Sequence, residues 1–339
     1  MKKHFAFLAA VLLAVATSAQ AETKVETVVG GLSNPCGLAI QPETGHVFVS
    51  DSAAGRIIRV VDGKAEDVIT GFPQDIYGKG PMYSIGPLGL AFLDKDTLVV
   101  GDGGFKDGEE YVRIYTIPAA GKAALDYDKD TKAKLGPILG KDDVKPEGNL
   151  YGVAIGKTAI YVTCNGDDTK GWISKIDING TKFGDLARYI PTKEAVDVDA
   201  PVAITLSAEG ELVVGQMGEM NVAKDALLTF YSAKTGKKLL NLPTGLFDIT
   251  GLAYQPKTGL LFATDFAWMD AKEGGLFRLD RKMKDGKMGV EAVKIVGLDK
   301  PTALAFAADG TLYATIVGPK GEKDNAPKEG SLVKITIGK

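Results

Sequence analysis

Apolar residues in this chain fall in short alternating runs separated by Gly, Asp and Pro, and one pair of runs keeps returning. The stretch NPCGLAIQPETGHVFVSD at residues 34–51 comes back as DITGLAYQPKTGLLFATD at 248–265. Four looser copies read GPLGLAFLDKDTLVVGD, NLYGVAIGKTAIYVTCN, DAPVAITLSAEGELVVGQ and DKPTALAFAADGTLYATI. Each copy is an apolar run, a turn such as PETG, AEGE or ADGT, and a second alternating run that closes near a polar residue. Period-two alternation around such turns predicts a β-hairpin. The residue opening each apolar stretch is Gly37, Gly89, Gly152, Ala203, Gly251 or Ala303. A spacing of about fifty residues predicts a blade array or a solenoid.

A third run follows in every unit, from GRIIRVVDG to GSLVKITIG, and a fourth in most, such as AEDVITGF and VEAVKIVGL. Four antiparallel strands per unit, repeated six times, predict an all-β six-bladed β-propeller occupying residues 22–339 as a single domain. The sixth unit lacks a fourth run, whereas KVETVVGGL at Lys24–Leu32 has no partner. The N-terminal strand is therefore expected to complete the last blade, a closure that an open solenoid does not need.

Composition adds the setting. Residues 1–21 combine Lys2 and Lys3, an apolar core over 5–15 and a small-residue Ala19-Gln20-Ala21 end, the layout of a signal peptide cleaved after Ala21. That core is far short of the roughly 20 apolar residues a membrane span requires. The expected product is exported, periplasmic or extracellular, with no membrane span, and a closed ring predicts a monomer. A net charge of −3 without a basic stripe excludes nucleic acid as a partner. Cys36 and Cys164 fall in non-adjacent units and are read as two free thiols rather than a disulfide.

In a propeller, the segments leaving each second strand and entering the next first strand converge around the channel mouth. There the repeat places Asn34, Asp51, Asp102, Asn149, Asn165, Gln216, Asp248 and Asp265. Such oxygen donors suit a hard divalent cation, Ca²⁺, Mg²⁺ or Mn²⁺. Asp and Asn at strand ends equally cap turns through their own backbone, and both readings stay open. Tyr83 and Trp268 sit in irregular stretches and are expected to be exposed, while Trp172 opens a third strand. Aromatic faces beside amide and carboxylate groups define a ligand site of Asp51, Tyr83, Asp102, Asn165, Gln216, Asp265 and Trp268 for a small molecule, glycan or protein partner. His46, the one histidine outside the leader, lies in a turn at the opposite face, so imidazole zinc sites and Ser-His-Asp chemistry are unsupported. Arg59, Arg113, Lys175, Arg278 and Lys334 share one place in five third strands and are read as blade construction. Asp126, Asp128 and Asp130 have calcium-loop spacing without the turn glycine or distal Glu, and Met217 with Met220 lack a third soft donor.

The P-x-G-L-A run with its x-I-x-K-I-D third strand resembles the NHL-repeat propellers and, more distantly, the SMP-30/gluconolactonase group. The resemblance covers nearly all of the chain beyond the leader and implies the six-bladed fold. Its gluconolactonase side implies hydrolysis of lactones or related esters with one divalent cation. Asn34 and Asn149 resemble that group's asparagine ligands and Asp248 its aspartate, with Asp248 or Asp265 as the catalytic carboxylate. Where those enzymes place Glu ahead of Gly-Pro-x-Trp, this chain reads NPCGLAI, and Glu147 is the nearest substitute. On that departure, the leading expectation is a non-catalytic exported propeller that binds its partner on the loop-rich face; the metal-dependent hydrolase is the alternative.

Overall fold

In the computed structural model, residues 22–78, 82–166, 170–219, 221–284, 286–318 and 329–338 are described. The leader at 1–21 and Met220 lie outside them. Six sheets are arranged as blades. Blade 1 is Pro35–Ile40, Val47–Asp51, Arg56–Val61 and Lys64–Thr70, and blade 2 is Leu90–Phe92, Thr97–Gly101, Val112–Thr116 and Ala133–Leu135. Blade 3 runs Val153–Ile155, Ala159–Cys164 and Trp172–Asn179, whose outer edge takes both Lys182–Phe183 and Ala187–Pro191. Blades 4 and 5 start at Pro201–Leu206 and Ile249–Tyr254 and keep four consecutive strands each. Blade 6 holds Pro301–Phe306, Leu312–Ile316 and Gly330–Thr336, and its outermost strand is Lys24–Leu32, paired from Lys24↔Thr336 to Leu32↔Gly330. The innermost strands contact one another around the ring, the last against the first.

Sequence explains this geometry locally. Second strands such as Val47–Asp51 and Leu261–Asp265 are buried along their whole length, sandwiched between neighbouring blades. Apolar clusters bridge successive blades: Phe48 and Ile57 pack with Leu90, Leu98 and Tyr115, and Val213 and Phe230 pack with Leu252, Leu261 and Phe277. Each such side chain contributes about 1.5–3 kcal/mol of burial. The repeat's glycine answers a steric demand. A Cβ on Gly37 would lie 2.0 Å from the Leu88 carbonyl oxygen, and one on Gly89 2.3 Å from that of Tyr151. Inner strands therefore approach too closely for a side chain there.

Hydroxyls then join blade to blade. Ser50 Oγ donates to Leu88 O (2.7 Å), Thr163 Oγ1 to Val202 O (2.8 Å) and Thr250 Oγ1 to Pro301 O (2.7 Å). Thr302 Oγ1 donates to Pro35 O at 2.6 Å and so ties the sixth blade to the first.

Three features depart from the regular repeat. Leu125–Asp126, within the blade 2 connection, adds a parallel strand to the edge of blade 1. Its Asp126 caps the N–H groups of Asp128 and Lys129, as a solvated turn does. The third and fourth strands of blade 5, Gly275–Lys284 and Lys287–Gly297, form a hairpin much longer than its counterparts. A separate two-stranded hairpin, Asp75–Tyr77 with Tyr83–Ile85, belongs to no blade.

Strand register corrects one sequence alignment. Arg59, Lys175, Arg278 and Lys334 hold equivalent positions, but Arg113 stands one residue earlier, since Val112 pairs with Gly101 as Ile57 pairs with Ser50. A shift by one turns a strand residue to the other face. Arg113 accordingly points inward and is fully buried, where it meets Asp102.

Candidate functional site at the channel mouth

In four blades the innermost pair carries a register irregularity just before the repeat's Gly or Ala, between Pro35 and Leu38, Pro201 and Ala203, Ile249 and Gly251, and Pro301 and Ala303. The residue preceding that Gly or Ala is Cys36, Leu88, Tyr151, Val202, Thr250 or Thr302 around the ring. All six line a cavity of about 80 Å³ at the mouth of the channel. That is several times the space one water needs on the same measure. The inward facing of Leu88, Tyr151, Val202, Thr250 and Thr302 was missed in the sequence, although each stands one residue before the Gly or Ala that defines the repeat.

The separate hairpin contributes Tyr77, Tyr83 and Ile85 to the cavity wall, and it is tied to the mouth by two asparagines. Asn34 Nδ2 donates to Ser84 O (2.8 Å) and Asn165 Nδ2 to the Tyr77 hydroxyl (2.9 Å). Asn34 and Asn149 adopt left-handed backbone conformations, φ 46° and 50°, as do Ala200 and Lys300 ahead of blades 4 and 6. Asparagine tolerates that region better than most residues, which gives both a backbone reason to be there. Tyr83 packs edge-on against Trp268 (5.4 Å) and Phe266 (6.0 Å), and those two rings stack at 5.1 Å. Tyr83 is therefore buried rather than exposed as the sequence suggested, and Trp268 is partly buried.

The carboxylates lie below this wall. Asp51 accepts Ser33 N–H (2.6 Å) and Arg56 Nε (2.9 Å). Asp102 takes Arg113 Nε on both oxygens at 2.9 Å, and Gln216 holds Val198 O and Thr229 Oγ1. Asp265 accepts the N–H groups of Phe247, Asp248 and Ala267 at 3.0, 2.7 and 3.1 Å. All four are buried, and none belongs to the cavity lining. Asn165 does line it, for a reason of register. Cys164 pairs with Trp172 at the position that Asp51 holds against Arg56, so Asn165 is one residue further out. Both thiols are free and buried; burial pushes Cys36 up to about 12, out of the range of a nucleophile at neutral pH.

Two further buried acids adjoin wall residues without lining the cavity. Asp248 is 2% exposed, and its Oδ2 accepts Trp268 N–H at 2.5 Å. Its carboxyl is pushed up to about 7, chiefly by burial, with repulsion from Asp265 and Asp225 adding to it and the Trp268 N–H opposing. Glu110, which the sequence reading overlooked inside GEEYVR, is buried beneath Asn149 and accepts its N–H. Burial and nearby Asp102 hold Glu110 well above the usual carboxylate range. Glu147, the substitute ligand suggested by sequence, is instead engaged by Arg188 Nε at 3.0 Å.

The donor set does not form a cage for Ca²⁺, Mg²⁺ or Mn²⁺. Asn34 and Asn149 line the cavity but Asp248 does not, so two neutral amides stand without a carboxylate partner on that wall. Among the described residues no cluster of three or more His, Cys, Asp or Glu side chains is placed to hold a metal. A hard cation needs several oxygen ligands, carboxylates among them.

No family model matches the chain. No curated protein matches it either. Solved structures do match along almost its entire length. An oxidoreductase from Thermus thermophilus described as a glucose dehydrogenase is 18% identical, covers 93% of this chain and 100% of its own, and has a TM-score of 0.63. The PQQ-bound aldose sugar dehydrogenase of Streptomyces coelicolor is 14% identical over 93% and 99% (TM-score 0.59). A gluconolactonase of Xanthomonas campestris is 16% identical over 96% and 93% (TM-score 0.56). PQQ, a flat polycarboxylate, needs cationic partners, and the cavity wall here holds no Lys, Arg or His. The matched structures are of enzymes, which corrects the expectation of a non-catalytic binder in favour of the enzymatic alternative. The chain shares the six-bladed propeller fold of sugar dehydrogenases and gluconolactonases.

Proposed function

We propose that the chain is a hydrolase of lactones or related esters, with its substrate in the channel-mouth cavity and Asp248 as the acid–base residue. The observation that carries this reading is the Asp248 carboxyl, buried two residues before cavity-lining Thr250 and raised to about 7. A carboxylate poised near neutral pH both accepts and returns a proton readily. One Asp248 oxygen orients the Trp268 backbone, and the other has no hydrogen-bond partner among the described residues. Asp248 stands behind the lining, two residues from Thr250, so it acts on a water admitted there: in its ionised form the second oxygen takes a proton from that water as the water attacks the ester carbonyl carbon. The tetrahedral adduct then collapses, the acyl C–O bond breaks, and the departing alkoxide recovers the proton from Asp248, leaving a hydroxy acid. The Asn149 side-chain amide, on the wall and without a partner among the described residues, is the donor for the carbonyl oxygen. No step is routed through a metal or PQQ, because the wall does not fit either.

The decisive assay is pH-stat titration of lactone opening by the purified chain. The rate per enzyme should rise as pH passes about 7, survive chelator, and fall about a hundredfold in Asp248→Asn. Full activity in that variant, or inertness toward every lactone and ester offered, overturns the reading. Residues 1–21 support an exported location; N-terminal sequencing of the secreted chain should begin at Glu22.

A further inference from the structure

The hydrogen-bonding state of the wall specifies what kind of lactone fits. Most of its polar side chains are already engaged within the protein. Thr250 Oγ1 is committed to Pro301 O (2.7 Å), Thr302 Oγ1 to Pro35 O (2.6 Å) and Tyr151 Oη to Thr302 O (2.9 Å). Asn34 Nδ2 and Asn165 Nδ2 hold the hairpin through Ser84 O and Tyr77 Oη. The Asn149 amide, the side-chain carbonyl oxygens of Asn34 and Asn165 and the Tyr83 hydroxyl are left, the last buried with no partner among the described residues. Ile85, Leu88, Val202, Met217, Phe266 and Trp268 supply the rest of the contact surface, and no charged side chain lines it.

A sugar lactone carries a hydroxyl on nearly every ring carbon. Each hydroxyl buried without a partner loses roughly 1–3 kcal/mol, so a wall that offers one free amide, two amide oxygens and one buried hydroxyl leaves part of a polyol unsatisfied and disfavours it. A hydrocarbon body gains about 25 cal/mol per Å² of apolar surface removed from water, and its ester asks for one or two hydrogen bonds. Resting on the lactone reading above, we infer that the substrate is a neutral cyclic ester whose body is alkyl or aryl hydrocarbon, not a sugar lactone. The ring lies against Phe266 and Trp268, and its ester faces Asn149.

Two six-membered lactones that differ in their bodies test this directly: δ-decalactone and glucono-δ-lactone. Binding is followed through Trp268 fluorescence in a Trp172→Phe background, which removes the chain's other tryptophan. The wild-type chain supplies a parallel calorimetric titration, so the comparison does not depend on any variant folding. δ-Decalactone and its hydrolysis-resistant lactam should bind at least about tenfold more tightly than glucono-δ-lactone. Trp268→Ala, titrated by calorimetry because it lacks the reporter, should erase that preference by weakening the hydrocarbon ligand alone. Equal or tighter binding of glucono-δ-lactone overturns the inference, whether or not it is hydrolysed. Tight δ-decalactone binding without turnover supports the inference and sinks the hydrolase reading, whereas preferred turnover of glucono-δ-lactone does the reverse.

Discussion

Blades 2 and 5 end their second strands in the same way, with a buried aspartate, yet they treat its charge differently. In blade 2, Asp102 faces the guanidinium of Arg113, which also reaches Asp128 at 2.9 Å and lies over the ring of Tyr127. Burial still outweighs that cation and leaves Asp102 at about 6. In blade 5 the register position of Arg113 is held by Phe277, and Asp265 takes its hydrogen bonds from backbone N–H groups, with Lys294 acting on it only through space. Neighbouring Asp248 then feels a carboxylate that no guanidinium pairs, on top of its own burial. One blade has turned the motif into a structural ion pair, and the other leaves a buried acid raised to about 7 behind the cavity wall.

The contrast can be broken from the blade 2 side first. Arg113→Met leaves Asp102 buried and unpaired and should cost about 3–5 kcal/mol in urea unfolding, with partial recovery when Asp102→Asn is added. No recovery would mean that Arg113 acts through its ring contacts rather than its charge. The next effect is the pH dependence of blade 5. Because folding raises Asp248, the native state retains a proton that the unfolded chain has released, so stability falls as pH climbs from about 4 to about 7. Asp102 and Glu110, also raised, act with the same sign. Asp248→Asn should leave stability at pH 4 unchanged and raise it at pH 8 by on the order of 2–4 kcal/mol, read as Tm across the range. An unaltered slope would show that Asp248 is ordinarily ionised. The smallest effect sharpens the comparison: Asp265→Asn removes the adjacent charge and should move the midpoint of the pH–rate profile downward, with a stability change of about 1 kcal/mol.

The architecture was readable because every blade states the same steric requirement, a residue small enough for inner strands to touch, and repeats it through Gly37, Gly89, Gly152 and Gly251. The closing role of Lys24–Leu32 followed from counting strands. The mouth was less readable because its contents turn on single-residue shifts. Asn165 was aligned with Asp51 although Cys164 holds that position, and Arg113 with Arg59 although it stands one residue earlier. Nothing in an alternating pattern marks such slips, since the apolar period survives them. Glu110 was hidden by the opposite problem: it sits among charged neighbours that look solvated, and tertiary packing alone buries it.

The seam between Lys24–Leu32 and Gly330–Thr336 also dictates an order of events. Lys24–Leu32 precedes every other described strand and its partner Gly330–Thr336 follows them all, so during synthesis five blades can mature while Lys24–Leu32 waits, and Gly330–Thr336 emerges as a bare edge. Until its own leading segment arrives, that edge accepts the equivalent segment of another molecule as readily. Slow closure at high concentration should therefore yield strand-exchanged pairs, each ring locked by its neighbour's beginning.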